Sequence, residues 1–345
     1  MSLSIRRRIM SALAATLITA IPLVFHTGGA SASTEARATS TLVAYDSFSK
    51  PGGYTLADYA VKWSNPYGPG EMALADTRNF AGSRFNVSAA PFRTSYDYSV
   101  FDHLKYIGIS TQAFAVPTAG AVEVSSTIKA STPGTQPGRV IHGTYTATGA
   151  PYAQPTLEGQ QAGAVMNVID FATGQLFDWF VSGSTAFALI ERLPSNVTGN
   201  TSDTSSPYYV GREKMYTQIV REVPVTPGVA HRVSIRFSRN AAGSSVDYFL
   251  DGTLVAHVDR VGVPLDVQGQ PYTGIYPALG AGEDLGQKIN YLVIGHGLFS
   301  LLDAFPFQHP EAPELSVSIP VSERAFGQGT IASFDDFKVK TTTDK

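Results

Sequence analysis

The sequence predicts an all-β fold, a two-sheet antiparallel β-sandwich. Three observations carry that prediction. Apolar residues recur with a period of two in several long segments, the spacing that puts them on one face of a strand. Beyond the N-terminus, no stretch of about a dozen residues holds an apolar stripe at helical spacing. Apolar runs are short, rich in β-branched and aromatic residues, and separated by Gly, Pro, Ser, Thr and Asn, which is the punctuation of a many-stranded sandwich.

Taken in order, residues 1–32 read as a secretory signal. Arg6, Arg7 and Arg8 form its basic head, Met10 to Phe25 its apolar stretch, and Ala30-Ser31-Ala32 its small-x-small cleavage pattern. The apolar stretch is broken by Thr16, Thr19 and Pro22 and falls short of the roughly 20 residues that cross a bilayer. The expected protein is therefore secreted and extracellular, with no membrane partner after signal removal. Residues 33–41 read as a flexible leader, 42–340 as a single sandwich domain and 341–345 as a tail.

Within the domain, Val122, Val124 and Ile128 share one strand face, and Val233, Ile235 and Phe237 share another. Val246 to Leu250 and Leu254 to Val258 flank Asp251-Gly252-Thr253, and Asp-Gly supplies the positive φ angles of a tight hairpin. Ile331 to Val339 alternates less regularly. Four segments read as inserted loops: Thr132 to Gly138, Thr148 to Gly163, Pro194 to Gly211, and Pro264 to Gln287.

Composition narrows the chemistry. The chain has 345 residues and no cysteine, so its core alone must hold it, and Cys-ligated zinc and iron–sulfur sites are excluded. With 25 Lys+Arg against 28 Asp+Glu, the net charge of −3 gives no electrostatic reason to expect nucleic acid. Gly-x-Ser-x-Gly, a Gly-rich phosphate loop and a His-Glu-x-x-His helix are all missing. No cofactor or metal is expected. A structural Ca²⁺ would need clustered oxygen ligands, for which Glu283, Asp284 and Asp303 are the nearest material.

Three strings resemble the concanavalin A-like jelly roll of legume lectins and many glucanases. They are Tyr45-Asp46-Ser47-Phe48, Val246-Asp247-Tyr248-Phe249-Leu250-Asp251-Gly252, and Ser333-Phe334-Asp335-Asp336-Phe337. The resemblance implies that the first and last strands pair side by side. Phe187-Ala188-Leu189-Ile190-Glu191-Arg192-Leu193-Pro194 and Gly297 to Phe307 resemble an uncharacterised family of exported bacterial proteins, domain of unknown function 6081. That family implies no activity. The Glu-x-Asp-x-x-Glu strand of one large glucanase class is missing, because Ser125 follows Glu123 where the middle acid would stand. A carboxyl pair for retaining hydrolysis would have to come from different strands.

The candidate catalytic residues are Glu191, Asp303 and His257. Glu191 follows the apolar run Ala186 to Ile190, where apolar neighbours would raise its pKa for acid–base work unless it only pairs with Arg192. Asp303 is the one acid in the apolar string Gly297 to Phe307, read as a pocket wall or as core. His257 shares a strand face with Asp259. Candidate ligand-binding residues are Asp178, Trp179, Arg192 and Tyr248, with Trp179 either core or a stacking platform. Tyr145, Tyr152, Tyr208, Tyr209, Tyr272 and Tyr276 lie in or beside the loops. The leading functional reading is a secreted protein that binds a carbohydrate on the curved face of a β-sandwich, with processing of that carbohydrate left open. The alternatives are an acid–base isomerase, cyclase or lyase acting on a small apolar molecule, and a non-catalytic surface or matrix protein.

Overall fold

Alternating side chains build nineteen strands among the described residues of the computed structural model, which are 38–65, 77–94, 100–193, 204–207, 209–211, 213–270, 278–304 and 312–344. The signal, most of the leader, and Tyr208, Tyr272 and Tyr276 lie outside them. In chain order the strands are β1 (Thr39–Asp46), β2 (Trp63–Ser64), β3 (Thr77–Phe80), β4 (Phe85–Ala89), β5 (Leu104–Ser110), β6 (Phe114–Ala115), β7 (Gly120–Ser131), β8 (Val140–Tyr145), β9 (Pro151–Pro155) and β10 (Gly163–Asp170). They continue as β11 (Gln175–Val181), β12 (Thr185–Arg192), β13 (Tyr216–Pro224), β14 (Ala230–Asn240), β15 (Gly243–Leu250), β16 (Thr253–Asp259), β17 (Tyr291–Phe299), β18 (Val317–Ser318) and β19 (Thr330–Thr343).

Two antiparallel eight-stranded sheets result. The first runs β16-β15-β14-β7-β19-β4-β3, with β1 alongside β19; the second runs β13-β12-β11-β10-β17-β5-β2, with β6 on β17. The first and last strands do pair, with Thr39 opposite Thr343. The hairpin expected at Asp251-Gly252 joins β15 to β16, and both turn residues have positive φ, 50° and 80°. The weaker alternation in β19 has a cause as well. Its register on β7 shifts between Asp335 and Lys338, and Asp336 takes a φ of 56°, so a bulge interrupts the period.

The inner faces meet in one large core. Val124, Val233, Ile235, Phe237 and Tyr248 of the first sheet pack against Met166, Phe177, Trp179, Ala188 and Ile190 of the second. Polar atoms bridge the layers: Trp179 Nε1 donates to Ser234 O at 3.1 Å and Tyr248 Oη to Leu189 O at 2.8 Å. At one end of the sandwich, Asp46 accepts from Trp63 Nε1 at 2.8 Å, Tyr54 Oη at 2.6 Å and Lys62 Nζ at 3.2 Å. Helix α1 (Leu56–Lys62), which the periodicity does not predict, supplies part of that end and starts at a capping box formed by Thr55 and Asp58. It carries Tyr59, whose hydroxyl lies 2.9 Å from His296 Nε2 inside an aromatic box that includes Trp63, Phe85 and Phe337.

One of the predicted loops, Thr148 to Gly163, is partly ordered into regular structure, a strand and a short helix. β8, β9 and β18 form a small third sheet, and α2 (Glu158–Gln161) follows β9. Tyr145 and Tyr152 pack edge to face on that sheet. Sequence periodicity misses β9 because Pro151 and Pro155 bound it and most of its side chains are exposed.

Sheet two is apolar on both faces. Its outer face carries Leu104, Ile107, Ile109, Val165, Ile169, Phe180, Phe187, Leu189, Ile219 and Phe299 as a second buried cluster. That explains why β10 and β12 read as continuous apolar runs rather than as alternating strands.

Candidate functional site

Strand register sorts the outer face of sheet two into rows that run across the strands. One row holds Val293, Ile169, Leu176, Glu191 and Thr217. The next holds Ile109, Gly295, Asn167, Asp178, Leu189 and Ile219. Asp178 and Glu191 therefore occupy diagonal positions on adjacent strands, close enough for the charge of Glu191 to act on Asp178. The second row is buried, with Asn167 at 1% and Asp178 at 3% exposure. Leu176, Glu191, Thr217 and Val293 of the first row are only half-buried, so the face opens towards solvent there.

Hydrogen bonds fix both acids. Asn167 Nδ2 donates to Asp178 Oδ1 at 2.8 Å, and Thr217 Oγ1 donates to Glu191 Oε1 at 3.0 Å. The other half of the Asn167 amide, Oδ1, is buried and has no partner among the described residues. Gly295 flanks it: a side chain there would place its Cβ 2.8 Å from Asn167 Oδ1 and 3.1 Å from Ile109 Cδ1. Burial lifts the Asp178 carboxyl well above the usual range, and the nearby Glu191 charge adds to the effect against the Asn167 hydrogen bond. Burial also pushes Glu191 up to about 7, opposed by the Thr217 hydrogen bond. Burial thus favours the protonated form of both carboxyls, and Glu191 titrates close to neutral pH. A carboxyl that titrates there can exchange a proton with a ligand.

Strand alternation separates the other sequence candidates. Trp179 and Tyr248 were candidate ligand contacts, but both are wholly buried in the core between the sheets, where their polar atoms are spent on backbone carbonyls. Neither can stack on a ligand. Arg192 follows Glu191 and so points to the opposite face, where its Nη2 donates to Glu283 Oε1 at 2.7 Å. The considered Glu191–Arg192 ion pair is thereby replaced by Arg192–Glu283. Asp303 does not stand alone in an apolar wall: Lys105 Nζ and Arg324 Nη1 pair with it at 2.9 and 2.7 Å, all three side chains buried. His257 lies on the other sheet, with Nδ1 2.6 Å from Asp247 Oδ1 and Nε2 2.9 Å from Asp259 Oδ1. The Asp247 hydrogen bond raises its pKa most. Glu191 and Asp178 converge; Asp303, His257, Trp179, Tyr248 and Arg192 do not join them. Glu283 is occupied by Arg192 and Lys288, and Asp284 accepts from the Gly286 amide.

Asn167 was not singled out from sequence. The available signal was one amide inside the apolar run Ala164 to Ile169, where burial without a purpose is costly.

A search of curated proteins finds no match. Among solved structures, an endo-1,3-beta-glucanase from Streptomyces sioyaensis is 11% identical, with 88% of this chain and 96% of that one covered and a TM-score of 0.40. Beta-agarase B from Zobellia galactanivorans is 11% identical over 90% and 95% of the two chains, with a TM-score of 0.38. A legume lectin-like domain from Entamoeba histolytica is 7% identical over 86% and 97%, with a TM-score of 0.35. At these identities and scores no residue role transfers. Residues 70–343 match the model of the family of unknown function DUF6081, and the chain belongs to that family.

Proposed function

We propose that this chain is an exported acid–base catalyst that processes a carbohydrate on the outer face of sheet two, with Asp178 and Glu191 as its working carboxyls. The observation that supports this reading is their juxtaposition: two carboxyls on neighbouring strands, one deep and one at the solvent margin, beside an amide with spare hydrogen-bonding capacity. Glycoside cleavage needs one carboxyl that holds a proton and another that is ionised, within about 5–10 Å of each other. Asp178 would protonate the leaving oxygen as the glycosidic bond breaks. Glu191, once ionised, would attack the anomeric carbon or take a proton from the attacking water. The apolar wall of Ile109, Leu189 and Ile219 favours a second reading, in which the same pair isomerises or eliminates from a small apolar molecule.

The test is reducing-end release from soluble 1,3-β-glucan, agarose and alginate oligosaccharides by the mature protein. Wild type should turn over at least one of them, and Asp178→Asn or Glu191→Gln should each lower the rate roughly 10²-fold or more. Undiminished turnover in both variants would refute the assignment.

A further inference from the structure

We infer that Asn167 is a specificity-determining residue of this site, and that the half of its amide not used by Asp178 receives one hydroxyl group of the ligand beside the reacting bond. The inference rests on the reading of Asp178 and Glu191 as the chemical centre and narrows the ligand that centre can take.

Asn167 sits on β10, flanked by hydrogen-bonded neighbours on both sides, β11 and β17. It is therefore held as firmly as the fold allows. Its side chain is 1% exposed, and one of its two polar atoms is satisfied by Asp178 at 2.8 Å. The other is buried without a partner among the described residues. The NH₂ half of the amide serves the buried Asp178 carboxyl, whereas the buried Oδ1 half has a hydrogen-bonding capacity that no described residue uses, at a cost that a donor arriving from outside would relieve.

The surroundings define that group. Gly295 keeps side-chain atoms off one flank of the amide, because a Cβ there would stand 2.8 Å from Oδ1. Ile109 and Ile219 close the two ends of the row, with Leu189 next to Asp178. The arriving group must be small and must donate a hydrogen bond to Oδ1 while lying beside the Asp178 carboxyl. A hydroxyl donates to Oδ1 and accepts from a protonated carboxyl in the same position. An ether oxygen or a methylene cannot donate. The ligand class is thus polyhydroxylated with a free hydroxyl next to the bond that reacts. A ligand deoxygenated or O-methylated at that position should be rejected.

The experiment compares the best-cleaved oligosaccharide of the glucan, agarose and alginate panel with its mono-deoxy forms, in wild type and in Asn167→Ala. In wild type, loss of one particular hydroxyl should lower kcat/KM by roughly tenfold to a hundredfold. In Asn167→Ala the parent substrate should fall by a similar factor, and the parent-to-deoxy ratio should shrink to under about threefold. An unchanged ratio would overturn the proposal, because a merely structural asparagine lowers both substrates alike. Should Asn167→Ala fail to fold, titration of wild type with the same oligosaccharides, read at the Asn167 side-chain amide NMR signals, replaces it. Those signals should move on binding, and saturation without movement would refute the role. Turnover that survives Asp178→Asn and Glu191→Gln, together with a collapsed Asn167 ratio, would move the chemical centre but keep the hydroxyl subsite. Turnover lost in both, with the ratio intact, would keep the centre and reject the subsite. If no panel member is bound or cleaved, both readings fail.

Discussion

Glu191→Gln should make the protein more stable and less active at the same time, and the size of the gain follows from the site. Burial holds the folded-state pKa near 7 against an ordinary value of 4.5. The unfolded chain therefore releases this proton at lower pH than the folded chain does. Between about pH 4.5 and 7 the folded state binds more protons, so stability is full below the unfolded value and is lost as pH rises through the folded one. At about 1.36 kcal/mol per pKa unit the full penalty above pH 7 is ~3 kcal/mol. Partial exposure of the side chain and its coupling to Asp178 reduce this to ~1–2 kcal/mol. Glutamine cannot ionise, and its carbonyl oxygen can still accept the Thr217 hydroxyl. The variant should thus melt ~2–6 °C higher than wild type at pH 8 and at the same temperature near pH 4.5. Paired thermal melts at the two pH values check this, with turnover measured on the same preparations. An equal or lower melting temperature at pH 8 would refute the burial argument, because a carboxylate already comfortable when charged gains nothing from losing its charge.

Other outcomes follow from the same physics. Asp303→Asn should cost ~3–5 kcal/mol in denaturant unfolding, since Lys105 and Arg324 would remain buried with weakened compensation. His296 is held neutral by burial, with its pKa down at about 3. The unfolded chain then binds more protons between about pH 6.5 and 3, and stability falls as pH drops through that window. His296→Phe should flatten this acid limb while losing the contact with the Tyr59 hydroxyl, as read by urea midpoints across pH. N-terminal sequencing of protein from culture medium should begin near Ser33, and a product starting at Met1 would contradict export.

The fold was largely legible because its signals are local. Asp251-Gly252 dictates a hairpin by its own backbone preferences, and the alternation of Val233, Ile235 and Phe237 needs only one buried face. The same alternation puts Glu191 and Arg192, and Asp178 and Trp179, on opposite faces, which the expected Glu191–Arg192 pair disregards, and it does not say which face is the core. That choice depends on packing across the sandwich, where Trp179 reaches Ser234, 55 positions away. The Asn167–Asp178 contact and the diagonal approach of Glu191 depend on the register of three strands, and register has no signature in any one of them. Helix α1 was legible in principle through Thr55 and Asp58, but at seven residues it is too short to show a stripe.

The pairing of β1 with β19 sets how the molecule bears a load. Thr39 faces Thr343, so a pull on the two chain ends enters at one corner of the sheet and peels the ladder open one bond at a time. Shearing would instead strain the whole row together. Each backbone bond resists singly, at a net worth of about 1 kcal/mol. The peel ends at Asp46, where the carboxylate that gathers Trp63, Tyr54 and Lys62 is carried on the departing strand. The sandwich is therefore mechanically soft at its termini up to that clamp and firm beyond it. A single-molecule pulling trace should show a low-force step that releases β1 before the main rupture.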